Sequence, residues 1–341
     1  MTIRHIMDID KRRSPAISPH VAGGLTVLFT IIYIAPFYLS PTLRSNSIAN
    51  RNTPSVIQAR IRAVVWSCVT SVVITVCVLS FKGHVAPREV LHLLGVYPVS
   101  IIDTAKSFLL VAILFAGPLF ERAVVEGEWR SWGAVTVKET VYDDLIGWRN
   151  LVVGPVSEEL VFRSLAISLF ILAQTSARRI TFTSPLIFGV AHVHHLHETI
   201  NSSRRPGASY LSTALTPSVI LPGLIRSVFQ FFYTSLFGFI AAFIYLRTSS
   251  LIACILAHSF CNWMGLPRFW GRVGQEVGEE ILDQSHSADG NVADALQAGT
   301  DDQQLSIIWT IAYYIILFSG AIAFWKLRWS LTHSDSALTE F

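Results

Sequence analysis

Four stretches of this chain run about the width of a bilayer core without a single Asp, Glu, Lys or Arg: Val21–Leu39, Ala63–Phe81, Ser227–Leu246 and Leu305–Trp325. A helix needs about 20 mainly apolar residues to cross roughly 30 Å of hydrocarbon. Hydrophobic residues make up 52% of the 341-residue chain and charged residues 14%, against about 25% charged in soluble domains. The sequence predicts an all-α, polytopic membrane protein, one multispanning domain over residues 1–341.

Further segments are apolar but interrupted. Thr248–Pro267 carries His258, and only Arg247 separates it from the preceding run, which predicts a tight helical hairpin. Val99–Phe120 contains Asp103 and Lys106, three apart and able to pair. Asn150–Ala173 contains Glu158, Glu159 and Arg163, and Ile180–Leu196 contains a histidine cluster. Together these give about eight transmembrane helices, with both termini on one side. Ala214–Ile225 holds Pro217 and Pro222 and is too short to span, so it reads as a re-entrant or interfacial piece. Val21–Leu39 follows Arg4, Lys11, Arg12 and Arg13 like a signal sequence, but it is long and lacks a small-residue cleavage site, so it reads as a retained anchor.

Lys and Arg divide almost evenly between the two sets of loops, so loop charge does not set orientation. A net charge of +3, spread over many loops, excludes nucleic acid as a partner. Gln275–Gln304 is acidic, free of Lys and Arg, and reads as a flexible loop. Cys68, Cys77, Cys254 and Cys261 all fall in apolar runs without a Cys-x-x-Cys pair, as expected of small buried residues.

The charges inside Asn150–Ala173 need an explanation, because an ionised side chain at mid-bilayer costs about 2.5–3.5 kcal/mol on insertion scales. Gly154-Pro155 is a natural helix start. Glu159 and Arg163 are four apart with the acid first, the favourable order for an ion pair. Glu158 points about 100° away from Glu159 on a helix of 3.6 residues per turn, so it has no partner in its own helix. A structural ion pair plus a glutamate at the interface would account for this segment alone. Two others carry polar groups as well. His192 sits in an apolar helix and is followed by His194, His195 and His197, while His258 and Asn262, four apart, share a face of another helix. Three helices presenting polar groups inward imply a wet intramembrane cavity with a function.

A carboxylate with no local cation, shielded from bulk water, suits a general base, and histidine can share that role. A histidine and an asparagine on one face suit stabilisation of an oxyanion. The set describes hydrolysis of an acyl bond by activated water. No Gly-x-Ser-x-Gly nucleophile motif competes. The nearest rival is zinc hydrolysis: His197-Glu198 begins like a zinc helix, but Asn201 stands where the second histidine of His-Glu-x-x-His belongs. The reading is therefore one without metal or other cofactor.

Glu158-Glu159-Leu-Val-Phe-Arg163, Phe188-Gly-Val-Ala-His192 and His258-Ser-Phe-Cys-Asn262 resemble the three motifs of the type II CAAX prenyl endopeptidases. Trp148-Arg149-Asn150 with Gly154-Pro155, His194-His195, and Gln230-Phe-Phe-Tyr-Thr234 with Phe237-Gly238 look like the eukaryotic, Ras-converting branch. The resemblance spans roughly residues 90–270, the expected catalytic core. The acidic loop 275–304 and a last transmembrane helix at 305–325 lie outside it.

The resemblance implies an enzyme that removes the C-terminal aaX tripeptide from farnesylated or geranylgeranylated CAAX proteins, such as Ras-like small GTPases. It also implies residence in the endoplasmic reticulum membrane with the site facing the cytosol, and membrane lipid as a partner. Carried over by position, Glu158 activates the water with His192, and His258 and Asn262 stabilise the oxyanion. Glu159 and Arg163 support them, with Arg163 alternatively binding the substrate carboxylate. The phenylalanines of Ser227–Leu246 would either flank the prenyl chain or serve as packing and lipid-facing surface. Two other classes fit less well: a non-proteolytic binding or scaffolding member of the same superfamily, and a small-solute transporter, which would show paired broken helices in two related halves.

Overall fold

A computed structural model describes residues 14–40, 42–43, 51–192, 194–205, 207–274 and 305–341. The acidic segment Gln275–Gln304 and the basic residues Arg4 and Lys11–Arg13 lie outside the described residues. The described residues are helical and form no strand, as the apolar runs predict. In chain order the main helices are α1 (Pro19–Ile34), α2 (Pro54–Cys77), α3 (Pro87–Leu93), α4 (Ile101–Leu114), α5 (Gly154–Glu159), α6 (Ala166–Leu172), α7 (Ala177–Ala191), α8 (His194–Ser202), α9 (Pro217–Thr248), α10 (Leu251–Met264) and α11 (Ile307–Leu331).

Among the described residues four helices are long and apolar enough to cross a membrane: Pro19–Leu39, Pro54–Lys82, α9 and α11. A fifth span is possible if α4 and Ala116–Val125, bent by 79° at Phe115, count as one. The molecule is thus a multi-pass membrane protein; among the described residues, length and composition alone mark four spans, or five with the bent pair, and leave the expected count of about eight open. The other expected spans fall short for visible reasons. α10 has 14 residues, about 21 Å at 1.5 Å per residue. α7 has 15 and stops at His192. Asn150–Ala173 belongs to an unbroken rod that changes helical register repeatedly and carries three charges, Glu158, Glu159 and Arg163. Ala214–Ile225 is not a separate re-entrant piece. Pro217 occupies the first turn of α9, where a missing N–H is harmless, and the helix runs through Pro222 into the expected span as 32 continuous residues.

The chain divides into two compact units. The larger comprises Met1–Phe108, Lys138–Trp263 and Trp329–Phe341, and the rod is its axis. The rod runs from Leu145 through a π-helical turn (Arg149–Val153), α5, a second π-helical stretch (Leu160–Leu165) and α6. Val161, Leu165, Ala166, Ile167 and Leu169 have no exposed surface, as expected of a helix that is apolar all round. α1, α2, α7 and α9 pack around it. Beside it, α7 and α9 make the most extensive helix pair, crossing through glycines: a Cβ on Gly189 would lie 2.3 Å from Ser235 Oγ, and one on Gly238 2.6 Å from Pro185 Cβ. Close approach through small residues is the usual way to gain packing energy where lipid offers no hydrophobic drive.

Hydroxyls fasten α3 to this frame. The last carbonyls of a helix lack intrahelical partners. Here Leu93 O accepts from Ser168 Oγ (2.7 Å) and Tyr245 Oη (2.8 Å), Leu94 O from Ser164 Oγ (2.8 Å), and His92 O from Ser249 Oγ (2.6 Å). Gly95 follows at φ +67°, and a Cβ there would strike Tyr245 at 2.8 Å, so this C-terminal turn demands glycine. The expected hairpin between α9 and α10 is present, turned by Ser249 in the left-handed region.

The smaller unit comprises Leu109–Val137 and Met264–Arg328. Its core is Val273, Tyr313 and Leu317, flanked by Phe120, Val125 and Tyr314. Arg268 Nε donates to Glu121 Oε1 at 2.9 Å, and Tyr313 Oη accepts from Arg268 N. All four cysteines are free; Cys68 and Cys254 are buried, Cys261 is half-buried and Cys77 faces outward.

Candidate active site

The sequence separates the paired glutamates by 100°, and the structure gives them different surroundings. Glu159 has no exposed surface, while Glu158 keeps 22% of its side chain accessible. Glu159 Oε1 receives two cationic or donor groups at once: Arg163 Nη1 at 3.1 Å and His258 Nδ1 at 2.7 Å. The first is the expected i, i+4 pair. The second crosses from α10 and has no signature in local sequence.

Arg163 is 1% exposed. Its contact with Glu159 is ionic rather than a well-aligned hydrogen bond, since no guanidinium nitrogen is placed to donate. Two aromatic faces complete its setting: Phe188 at 4.4 Å and Phe237 at 5.3 Å from the guanidinium carbon. A weakly hydrated planar cation between rings is the arrangement arginine tolerates and lysine does not.

His258 therefore stands between two carboxylates, with Nδ1 on Glu159 and Nε2 3.9 Å from Glu158 Oε2. A carboxylate accepts, so the hydrogen bond to Glu159 places a hydrogen on Nδ1. Phe237 packs against the imidazole at 4.6 Å between centroids.

His192 ends α7, where Nδ1 bonds the Phe188 carbonyl at 2.9 Å. The carbonyl accepts, so Nδ1 carries the hydrogen and Nε2 the lone pair. Phe188 presents its edge or face to His192 (4.7 Å), to His258 (6.4 Å) and to Arg163. The first residue of Phe-x-x-x-His thus seats three polar groups of the site.

Asn262, one turn beyond His258, donates from Nδ2 to the Asn150 carbonyl at 2.9 Å. The rod explains why that carbonyl is available. Gly154 N–H bonds Arg149 O, five residues back. In this register the Asn150 carbonyl faces the nitrogen of Pro155, which has no hydrogen to give. Asn262 replaces the missing donor and keeps a second amide hydrogen.

Two residues that sequence reasoning did not single out hold the rod in place. Ser157 Oγ donates to Val153 O at 2.6 Å, so the Tyr33 hydroxyl from α1 is the donor to Ser157 Oγ at 2.7 Å, next to Glu158. Nothing in the sequence links positions 33 and 157. Of the phenylalanines in α9, Phe237, Phe239 and Phe243 are packed against other rings, while Phe229 and Phe232 remain exposed.

His195 and His197, which follow His192, have partners of their own. His195 Nδ1 meets Glu198 Oε2 at 3.0 Å, and His197 bonds Tyr210 Oη and Asn201 Nδ2, both at 2.9 Å. Burial alone would push the Glu198 carboxyl up, but the His195 hydrogen bond and the Arg60 guanidinium bring it down to about 2, so it stays ionised. Among the described residues no three His, Cys, Asp or Glu side chains converge as a metal-holding group.

A partly accessible carboxylate beside an imidazole, among apolar helices, is an arrangement that fits a membrane hydrolase. Comparison with known proteins gives the family. The family model described as Type II CAAX prenyl endopeptidase Rce1-like matches residues 144–264, the interval that holds Glu158, Glu159, Arg163, His192, His258 and Asn262. The probable CAAX prenyl protease 2 of Schizosaccharomyces pombe is 33% identical over 250 residues, covering 73% of this chain and 83% of its own. The CAAX prenyl protease 2 of Homo sapiens is 31% identical over 260 residues, 70% of each chain. That of Saccharomyces cerevisiae is 21% identical over 329 residues, 87% of this chain and 93% of its own. No solved structure matches. The chain belongs to the type II CAAX prenyl endopeptidase family and is a hydrolase.

Proposed function

We propose that this protein cleaves prenylated CAAX proteins after the lipidated cysteine, releasing the aaX tripeptide, with Glu158 as the base that activates water. The observation that carries this reading is the asymmetry of the glutamates. Glu159 is consumed by Arg163 and His258, whereas Glu158 is the partly accessible carboxylate, within 3.9 Å of the His258 ring.

Glu158 takes a proton from the water as its oxygen adds to the scissile carbonyl carbon. His192 aligns the water by accepting at Nε2. His258, donating from Nδ1 to Glu159, stabilises the oxyanion from Nε2 in its doubly protonated form, and Asn262 supports it with its second amide hydrogen. As the C–N bond breaks, Glu158 returns the proton to the leaving amine. Two carboxylates, Arg163 and an imidazolium then sum to no net charge, which suits a site in lipid. Arg163 holds Glu159; at 1% exposure it has no surface for a substrate carboxylate.

The substrates in this reading are farnesylated or geranylgeranylated proteins such as Ras-like small GTPases, met at the cytosolic face of the endoplasmic reticulum membrane. Prenylation already delivers them to a bilayer. The exposed Phe229 and Phe232 of α9 face the medium in which the prenyl chain travels. The test is cleavage of a farnesylated CAAX peptide by purified protein. Wild type releases the tripeptide and Glu158→Gln releases none while accumulating normally in membranes. Full activity in the Glu158→Gln variant rejects the assignment.

A further inference from the structure

Behind His192 the chain turns at once into α8, which carries a second carboxylate–imidazole pair. His195 Nδ1 donates to Glu198 Oε2 at 3.0 Å. The other oxygen, Oε1, takes Arg60 Nη2 from α2 at 2.8 Å. Arg60 is itself fixed: Nε donates to the Leu43 carbonyl at 3.0 Å, and the guanidinium lies over Phe37 at 5.0 Å. Glu198 is 11% exposed and Arg60 13%, so this is not a solvated surface pair of the kind worth little.

The arrangement has a direction. It begins on α2, passes through the Glu198 carboxylate, and ends on an imidazole whose ring lies 6.0 Å from that of His192. His195 is also within electrostatic reach of Glu158. A carboxylate behind a histidine fixes both its tautomer and its ring plane. His197, two residues on, shows the contrast: among the described residues its partners are Tyr210 and Asn201 rather than a carboxylate.

We propose that Glu198 is a positioning residue for the hydrolysis: bridged between Arg60 and His195, it holds the His195 imidazole in its Nδ1–H form against His192, at the wall of the site where Glu158 works. The inference rests on the hydrolase reading above and adds two residues to it, His195 at the site's edge and Glu198 behind it. Arg60 supplies the fixed end, which ties the geometry of α8 to the second span.

The experiment measures kcat and KM on a farnesylated CAAX peptide for wild type, Glu198→Gln, Glu198→Asp, His195→Gln and the Glu198→Gln/His195→Gln double variant, with thermal unfolding in detergent alongside. Misplacing a catalytic group by about an ångström costs up to roughly a hundredfold, so Glu198→Gln is expected to lower kcat by about tenfold to a hundredfold while KM and the unfolding midpoint hold. Glu198→Asp recovers part of the loss. Because Glu198 acts through His195, the double variant is no worse than His195→Gln alone, the signature of residues in one network. The proposal is overturned if Glu198→Gln keeps kcat within about twofold of wild type, or if the two single losses multiply. It is equally overturned if kcat falls only in step with lost folded protein. Should Glu198→Gln fail to accumulate, His195→Gln leaves the Arg60–Glu198 pair intact, and undiminished kcat in that variant overturns the proposal. Wild-type protein that leaves the peptide uncut removes the hydrolase reading itself, a result distinct from any difference among variants.

Discussion

Arg163 shows how a cation is kept in an apolar interior. It has one ionic partner, two aromatic faces and almost no surface. Taking one member from a buried ion pair costs about 3–5 kcal/mol, because the other charge is left uncompensated. Arg163→Ala is therefore expected to lower the unfolding midpoint in detergent and abolish activity together. Arg163→Lys should rescue neither fully, since an ammonium cannot lie flat between Phe188 and Phe237. Differential scanning fluorimetry with a peptide-cleavage assay checks both, and a fully active, fully stable Lys variant would contradict the sandwich. At this scale the different surroundings of the two glutamates were legible. Helical spacing alone separated Glu158 from Glu159 and paired Glu159 with Arg163. The Glu159–His258 bond, which decides what Glu159 does, joins residues 99 apart; no local period can show it.

Among elements, the crossing of α7 and α9 sets the positions of His192 and of Phe237, which packs on His258. The helices approach through Gly189 and Gly238, where an added Cβ would meet Ser235 Oγ or Pro185 Cβ well inside contact distance. Overpacking of this kind costs typically about 1–3 kcal/mol. Gly238→Val is expected to lower the unfolding midpoint and reduce kcat, with Gly238→Ala intermediate. Equal activity in all three proteins would show that the crossing does not govern the site. Element existence was readable from the sequence wherever a run was long and free of charge. Element extent was not. Ala214–Ile225 looked separate because two prolines usually interrupt a helix, yet Pro217 starts α9 and Pro222 lies only a turn and a half further in. The rod's π-helical turns and the 79° bend at Phe115 have no compositional mark.

Across the larger unit, the C-terminal residues act as a strap. Leu338 N–H bonds Leu246 O at 2.9 Å, Ser334 Oγ donates to Asp103 Oδ2 at 2.6 Å, and His92 Nε2 bonds Ser336 O at 2.8 Å. Arg247 reaches Trp329 O at 3.0 Å and Thr332 Oγ1 at 3.3 Å. Leu338 and Thr332 are buried. The strap thus touches the end of α3, the start of α4 and the α9–α10 turn, from which His258 projects two turns later. Each intramolecular hydrogen bond contributes about 0.5–1.5 kcal/mol, and burying a leucine about 1.5–3 kcal/mol. Removing residues 332–341 should lower the unfolding midpoint by several degrees and reduce kcat more than KM. An unchanged midpoint would mean that the strap is passive. Nothing in the sequence anticipated it, since a short polar tail after a last span carries no pattern. The membrane class and the helical fold, by contrast, followed from four charge-free runs.

The proline at 155 gives Asn262 a structural duty apart from the role proposed for it in the reaction: its amide completes a backbone left one donor short. An asparagine at that position would therefore be retained even by a relative that had lost the ability to cut, and its presence is poor grounds for telling a working member from a silent one. Glu158 has no such second employment in the described structure, so it is the position to inspect when sorting the two.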